Sequence, residues 1–258
     1  MQDLKIALIQ SFLYWENIEK NIQHFDILLD TIEVDTDLIL LPEMFTTGFS
    51  MNPSNYASES MEKGLKWMIN KAKELNCTIG GSLMVYENNS YYNRLYYIDS
   101  NGILAKYDKK HLFTMGHENK SYSSGNTIVE LKVKGWKIRP LICYDLRFPV
   151  WCRNTTNYDL LVFHANWPQR RITHWDNLLQ ARAIENQCYV AACNRVGLDG
   201  NNIEHNGSSQ VISPIGEIIQ KSLDNEEIIY QRLSHKLLSE TRKNLPFLAD
   251  KDSFEITL

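Results

Sequence analysis

Ile138-Arg139-Pro140-Leu141-Ile142-Cys143-Tyr144-Asp145-Leu146-Arg147-Phe148-Pro149 is an apolar run that stops on a thiol and turns at once into a polar, aromatic segment. Such a run, followed by a turn-and-helix start, reads as a buried strand whose carboxyl end presents Cys143. The backbone N–H groups that open the next element lack intrahelical partners and can receive an anion. A thiol at that edge has the geometry needed to attack a carbonyl and to have the resulting oxyanion stabilised. A buried cysteine is otherwise a small apolar side chain. Residues elsewhere in the chain decide between the two roles.

Strand and helix patterns alternate on both sides of this stretch. Lys5-Ile6-Ala7-Leu8-Ile9-Gln10 and Leu38-Ile39-Leu40-Leu41 are short apolar strands, the second stopped by Pro42. A strand apolar on both sides wants both faces covered, as in the interior of a layered α/β sheet. Ile18, Ile22, Phe25, Leu28, Leu29 and Ile32 recur at three- and four-residue steps, which predicts a helix over 17–31. Met61, Leu65, Met68, Ile69 and Ala72 predict a second helix over 60–75, and a strand begins at Cys77. Asn101-Gly102 and Lys134-Gly135 each predict a hairpin between flanking strands. Leu160-Leu161-Val162-Phe163, a helix over 173–186 and Tyr189-Val190-Ala191-Ala192 form a further β-α-β passage. Strands at 210–213 and 218–220 flank Pro214-Ile215-Gly216, and a last helix covers 235–243. Alternation mixed with hairpins implies a mixed sheet, or two sheets with helices outside.

At 258 residues the chain sits near the size, roughly 250–300 residues, where single cores stop growing, so one domain over 1–258 is expected. No linker, low-complexity run or internal repeat divides it. Apolar and charged contents of 43% and 22% are ordinary for a soluble globular protein. A net charge of −4 with scattered lysines argues against a nucleic-acid surface. No apolar stretch approaches the ~20 residues of a membrane span, and the amino terminus enters a strand pattern without a secretory signal. The five cysteines (Cys77, Cys143, Cys152, Cys188, Cys193) are an odd number without a Cys-x-x-Cys pair, which points to reduced thiols and the cytoplasm. No Cys/His cluster has structural zinc spacing, so no metal is expected.

Two other positions resemble Cys143 in placement. Glu43 stands just past the strand ending Leu41-Pro42, where a carboxylate is costly unless it is paired or used as a base. Lys109 sits in Tyr107-Asp108-Lys109-Lys110-His111-Leu112, where a strand runs out. Leu-Pro-Glu, Tyr-x-Lys-x-His-Leu and Cys-Tyr-Asp, in that order, resemble the nitrilase (carbon–nitrogen hydrolase) superfamily over essentially the whole chain. Further matches are Ala183-Ile184-Glu185-Asn186-Gln187, Asn194-Arg195-Val196-Gly197, and Gly207-Ser208-Ser209 leading to Pro214-Ile215-Gly216.

The resemblance implies a four-layer α-β-β-α sandwich of the nitrilase type, usually a homodimer, working without metal or organic cofactor. It also implies a catalytic triad on Glu43, Lys109 and Cys143. The family pattern leaves one residue between its lysine and the His-Leu pair, which selects Lys109 over Lys110. A second glutamate, upstream of a Gly-containing turn, falls on Glu118, and the backbone N–H of Tyr144 becomes the second oxyanion donor beside Lys109.

Cys-Tyr-Asp-Leu-Arg-Phe-Pro is similar to the amidase side of the superfamily, and within it to ω-amidases, which release ammonia from 2-oxoglutaramate and 2-oxosuccinamate. The far carboxylate of such a substrate needs donors. Arg170 and Arg171 can supply them, with Trp167 as a wall of the pocket. An N-carbamoyl amide hydrolase, a glutaminase serving a separate synthetase and a non-catalytic small-molecule-binding protein on the same fold are the alternatives. Phe45 and Phe148 are expected at the cavity or in the core, His111 and His117 as structural hydrogen-bonders, Cys152 as a free thiol. Arg147 is expected in a salt bridge beneath the site.

Overall fold

The first apolar strand of the chain is covered on both faces, and its side chains sort by alternation. Along β1 (Leu4–Gln10), Leu4, Ile6 and Leu8 enter one apolar cluster while Ala7 and Ile9 enter another. The computed structural model describes residues 2–257 and arranges them as two mixed six-stranded sheets flanked by helices. In the first sheet, β1, β2 (Leu38–Leu40) and β3 (Thr78–Glu87) run parallel. Antiparallel β4 (Ser90–Asp99) and β5 (Gly102–Asp108) extend it. Helices α1 (Ile18–Leu29) and α2 (Pro53–Leu75) set Phe25, Leu29, Trp67 and Met68 against its outer face.

After the short α3 (Glu118–Ser121), the second sheet repeats the plan. Here β6 (Leu131–Val133) pairs antiparallel with β7 (Trp136–Ile142). Beyond α4 (Pro149–Cys152), β8 (Leu160–His164), α5 (Ile172–Asn186) and β9 (Tyr189–Cys193) follow, with β7, β8 and β9 parallel. A small hairpin, β10 (Val196–Leu198) and β11 (Glu204–Asn206), precedes β12 (Gln210–Ile212) and β13 (Ile218–Lys221), which complete the sheet. The chain then returns to the first sheet, where β14 (Glu227–Leu233) pairs antiparallel with β1, before α6 (His235–Asn244). Leu38, Leu40, Leu95 and Tyr97 of the first sheet share a core with Leu141, Leu161 and Phe163 of the second. Trp175, Leu179 and Ala183 of α5 join the same cluster.

The short helices α3 and α4 and the hairpin β10–β11 add to the expected elements, and two larger differences have a physical reason. Helix α2 starts at Pro53, not at 60, because proline is preorganised for the first helical turn while Ser54, Asn55 and Tyr56 give no apolar period. Strand β14 is an addition to the expected set; its mixed sequence Glu-Ile-Ile-Tyr-Gln-Arg-Leu carries no clean alternation, and an edge strand is fixed by its partner.

Candidate active site

The carboxyl ends of β2, β5, β7 and β8 converge on a cavity of about 160 Å³ lined by Glu43, Lys109, Cys143 and Asn166 among others. Side chains from separate parts of the sequence thus share one space, with Glu43 and Lys109 at most 1% exposed.

Glu43 is held from several sides. Its Oε1 accepts from Lys109 Nζ at 2.8 Å and from Asn93 Nδ2 at 2.8 Å. Its Oε2 accepts from the backbone N–H of Asn166 at 2.9 Å, while Asn166 Nδ2 donates to the Glu43 carbonyl at 2.6 Å. The turn that carries it is pinned to β3, where Ser82 Oγ accepts from Met44 N–H at 2.8 Å. Lys109 also donates to Glu118 at 3.0 Å, and Glu118 Oε2 accepts from Phe113 N–H at 2.6 Å. Gly125 lies against this segment so closely that a Cβ would sit 2.2 Å from the Asp108 carbonyl. Its N–H donates to the Lys109 carbonyl at 2.9 Å.

The charges follow from this packing. Burial alone would strip the Lys109 proton; the carboxylates of Glu118 and Glu43 reverse that and hold the ammonium above its ordinary value. Burial, opposed by Lys109 and reinforced by Glu43, raises Glu118. Burial and the nearby Glu43 carboxylate push the Cys143 thiol well above its ordinary value, against the pull of Lys109.

Cys143 has φ +41°, in the left-handed region, as the first residue of a tight turn over Cys143–Arg147. A non-glycine residue held there costs on the order of 1–3 kcal/mol, so neighbours must fix it. Asp145, fully buried, does so: its Oδ2 accepts from Ile142 N–H at 3.0 Å.

The mouth is cationic and aromatic. Arg147, Arg170 and Arg171 line it with Trp167, Phe49 and Phe113. Trp167 is 2% exposed, and its Nε1 donates to the Arg171 carbonyl at 2.8 Å. The Arg147 guanidinium lies 4.7 Å from the Trp167 ring centre. Burial, with repulsion from Arg170 and Arg147, pushes the Arg171 guanidinium below its ordinary value. Among the described residues none of the three arginines has a carboxylate within ion-pair distance.

The expected site residues Glu43, Lys109, Cys143, Glu118, Tyr144, Trp167, Arg170 and Arg171 are therefore brought to one cavity or its immediate wall. Lys110 points away, donating to Asn126. Arg147 corrects the expectation of a salt bridge beneath the site: the turn after Cys143 swings it into the cavity, where it bonds His174. Phe45 and Phe148 are core and packing residues; Phe49, farther along the loop of Phe45, and Phe113, in the loop after β5, form the walls. His111 is the structural hydrogen-bonder expected, whereas the His117 ring makes no hydrogen bond among the described residues. Cys152 is free and buried. Asn93 and Asn166 went unassigned. Asn93 shares the inward period of Leu95 and Tyr97, and a buried amide in that register is the signal that could have found it.

A family model described as carbon-nitrogen hydrolase matches residues 5–243. The chain is 44% identical to the ω-amidase YafV of Escherichia coli K12, covering 99% of this chain and 100% of that protein. It is 34% identical to a 2-oxoglutaramate amidase of Bacillus subtilis, covering 95% and 96%. The crystal structure of XC1258 from Xanthomonas campestris, a CN-hydrolase superfamily protein, superposes with a TM-score of 0.97 at 39% identity, covering all of both chains. With its fold, its convergent Glu-Lys-Cys floor and its sequence all in agreement, this chain belongs to the carbon–nitrogen hydrolase family of the nitrilase superfamily.

Proposed function

We propose that this hydrolase is an ω-amidase, converting the terminal amide of 2-oxoglutaramate or 2-oxosuccinamate to the carboxylate and ammonia through a thioester on Cys143. The observation that carries the substrate class is the cluster of Arg147, Arg170 and Arg171, unpaired at the mouth of a cavity whose floor holds the nucleophile. A guanidinium suits bidentate binding of a carboxylate, and an anionic substrate end would offset the burial and the repulsion from Arg170 and Arg147 that together depress Arg171. Relatives named ω-amidase and 2-oxoglutaramate amidase support the same class.

Cys143 Sγ attacks the amide carbon while its proton passes to the Glu43 carboxylate, the general base. The carbonyl oxygen gains negative charge beside Lys109 Nζ and the Tyr144 N–H, the two donors that stabilise it. Glu43 returns the proton to nitrogen, the C–N bond breaks, and ammonia leaves a thioester. Water then loses a proton to Glu43 and attacks the thioester carbon; the C–S bond breaks, the thiol regains its proton, and the free acid departs. Glu118 keeps the Lys109 ammonium charged and aimed, and Trp167 walls the pocket.

The chain is further read as one hydrolase domain over 1–258, forming a homodimer in the cytoplasm. The core shared by both sheets supports the first point and five free cysteines a reducing compartment; sedimentation velocity tests the dimer. Ammonia release from 2-oxoglutaramate, N-carbamoyl-β-alanine and an aliphatic nitrile tests the function. We expect kcat/KM to favour 2-oxoglutaramate by about 100-fold or more. Equal or faster turnover of the carbamoyl compound would overturn the assignment.

A further inference from the structure

One fully buried carboxylate touches neither the cavity nor any cation of the floor. Asp145 accepts four hydrogen bonds. Oδ2 receives Ile142 N–H at 3.0 Å and Tyr107 O–H at 2.7 Å; Oδ1 receives His111 N–H at 3.0 Å and His111 Nδ1 at 2.8 Å. Ile142 immediately precedes the nucleophile, while Tyr107 and His111 bracket Lys109 by two residues on either side. The bonds therefore join the turn that bears Cys143, held at positive φ, to the segment that bears Lys109. The anchor is reinforced on its far side. Tyr107 oxygen accepts from Trp151 Nε1 at 3.0 Å, and the His111 ring stacks on Phe148 with centroids 3.6 Å apart and planes within 6°.

We propose that Asp145 is a positioning residue that fixes the Cys143 thiol relative to the Lys109 ammonium by clamping both segments to one carboxylate. It acts through those two residues and touches no substrate. A carboxylate suits the task because it offers acceptor sites only. An amide cannot replace it. The His111 ring can reverse donor and acceptor roles, but the backbone N–H groups of Ile142 and His111 cannot, and the Tyr107 oxygen already accepts from Trp151 Nε1 and Lys110 N–H. Whichever way the amide of an Asp145→Asn variant turned, its NH2 would face one of those N–H groups, and one of the two segments would lose its anchor.

The proposal rests on the ω-amidase reading for its assay alone. Asp145→Asn is isosteric, and kcat and KM for 2-oxoglutaramate are measured beside near-UV circular dichroism. We expect native dichroism, a fall in kcat of about 100-fold, the scale of an ångström misplacement of reacting groups, and KM within about threefold of wild type. A folded D145N enzyme with kcat within about threefold of wild type, or one changed in KM alone, overturns the proposal. Should D145N fail to fold, Tyr107→Phe and His111→Phe each delete one side-chain donor while keeping an aromatic ring. Lowered kcat at steady KM in both supports the clamp; unchanged kcat in both overturns it. Wild-type enzyme inert towards 2-oxoglutaramate defeats the substrate reading alone, and the same comparison then runs on whichever amide is hydrolysed.

Discussion

At the floor of the cavity Glu43, Lys109 and Glu118 are buried and bonded through Lys109, whereas at its mouth Arg147, Arg170 and Arg171 are partly or fully exposed and, among the described residues, carry no ion pair. The floor stands on strand ends of both sheets and on backbone N–H groups such as those of Asn166 and Phe113. The mouth stands on tight turns, Cys143–Arg147 and Gln169–Arg171. On the proposed mechanism, the groups that perform the same bond-breaking step every time are locked before the substrate arrives. The groups proposed to grip a carboxylate stay without an ion pair until it arrives, because a preformed pair would have to be broken first.

The sharpest way to break this contrast is at the nucleophile. Cys143→Ala should lower kcat by about 10⁴-fold or more with the fold intact, since the chemistry has no second thiol to use. Ammonia release and far-UV dichroism together check it. Lys109→Ala comes next. Loss of an oxyanion donor removes about 2.7–4 kcal/mol of transition-state stabilisation, roughly a 100- to 1000-fold loss of kcat. It also leaves Glu43 and Glu118 buried without their shared cation, so the urea midpoint should fall, on the scale of about 3–5 kcal/mol for a broken buried pair. Lys110→Ala, whose ammonium bonds Asn126 at the surface, should match wild type in both measurements.

At the mouth the expected effect is smaller and of another kind. Arg171→Ala and Arg147→Ala should each raise KM for 2-oxoglutaramate by about tenfold, the worth of a hydrogen bond to a charged group, with little change in kcat. The exposed Arg170→Ala should raise it less. Equal losses of kcat in these variants would erase the distinction between floor and mouth.

A pH effect on stability separates the regions least. His164 lies under the floor, its Nδ1–H donating to the Leu41 carbonyl at 2.6 Å and Nε2 accepting from Tyr97 O–H at 3.0 Å. His205 lines the cavity near the mouth. Burial lowers both from 6.5 to about 4, so each is neutral in the fold where the unfolded chain takes up a proton. Stability should be full above pH 6.5 and fall progressively as the pH drops towards 4, by up to about 1.4 kcal/mol per pH unit for each histidine. Urea midpoints at several pH values check this, and His164→Gln should flatten the slope.

Glu43 and Cys143 were legible because each closes or follows a buried run, Leu41-Pro42-Glu43 and Ile142-Cys143, whereas Lys109 ends a largely exposed edge strand and, like Glu118, was singled out only by the family pattern. Strand ends on a layered sheet collect at one edge, so local patterns sufficed to nominate Glu43 and Cys143. The partners that tune them were not legible. Asn166 meets Glu43 across 123 residues of sequence, and only the packing of β8 beside the loop after β2 brings its N–H there. Arg147 was misplaced for a related reason: the direction of a side chain on a tight turn depends on the positive φ at Cys143, which no composition reveals. β14 was missed because its place is set by β1, more than two hundred residues earlier.

The thioester itself offers the most direct test. Wild-type enzyme mixed with 2-oxoglutaramate and quenched in acid within the first turnovers should carry the acyl group, less ammonia, on the peptide containing Cys143, and Cys143→Ala should carry none. Turnover without any acylated peptide, or acylation of Cys152 in place of Cys143, would contradict the account.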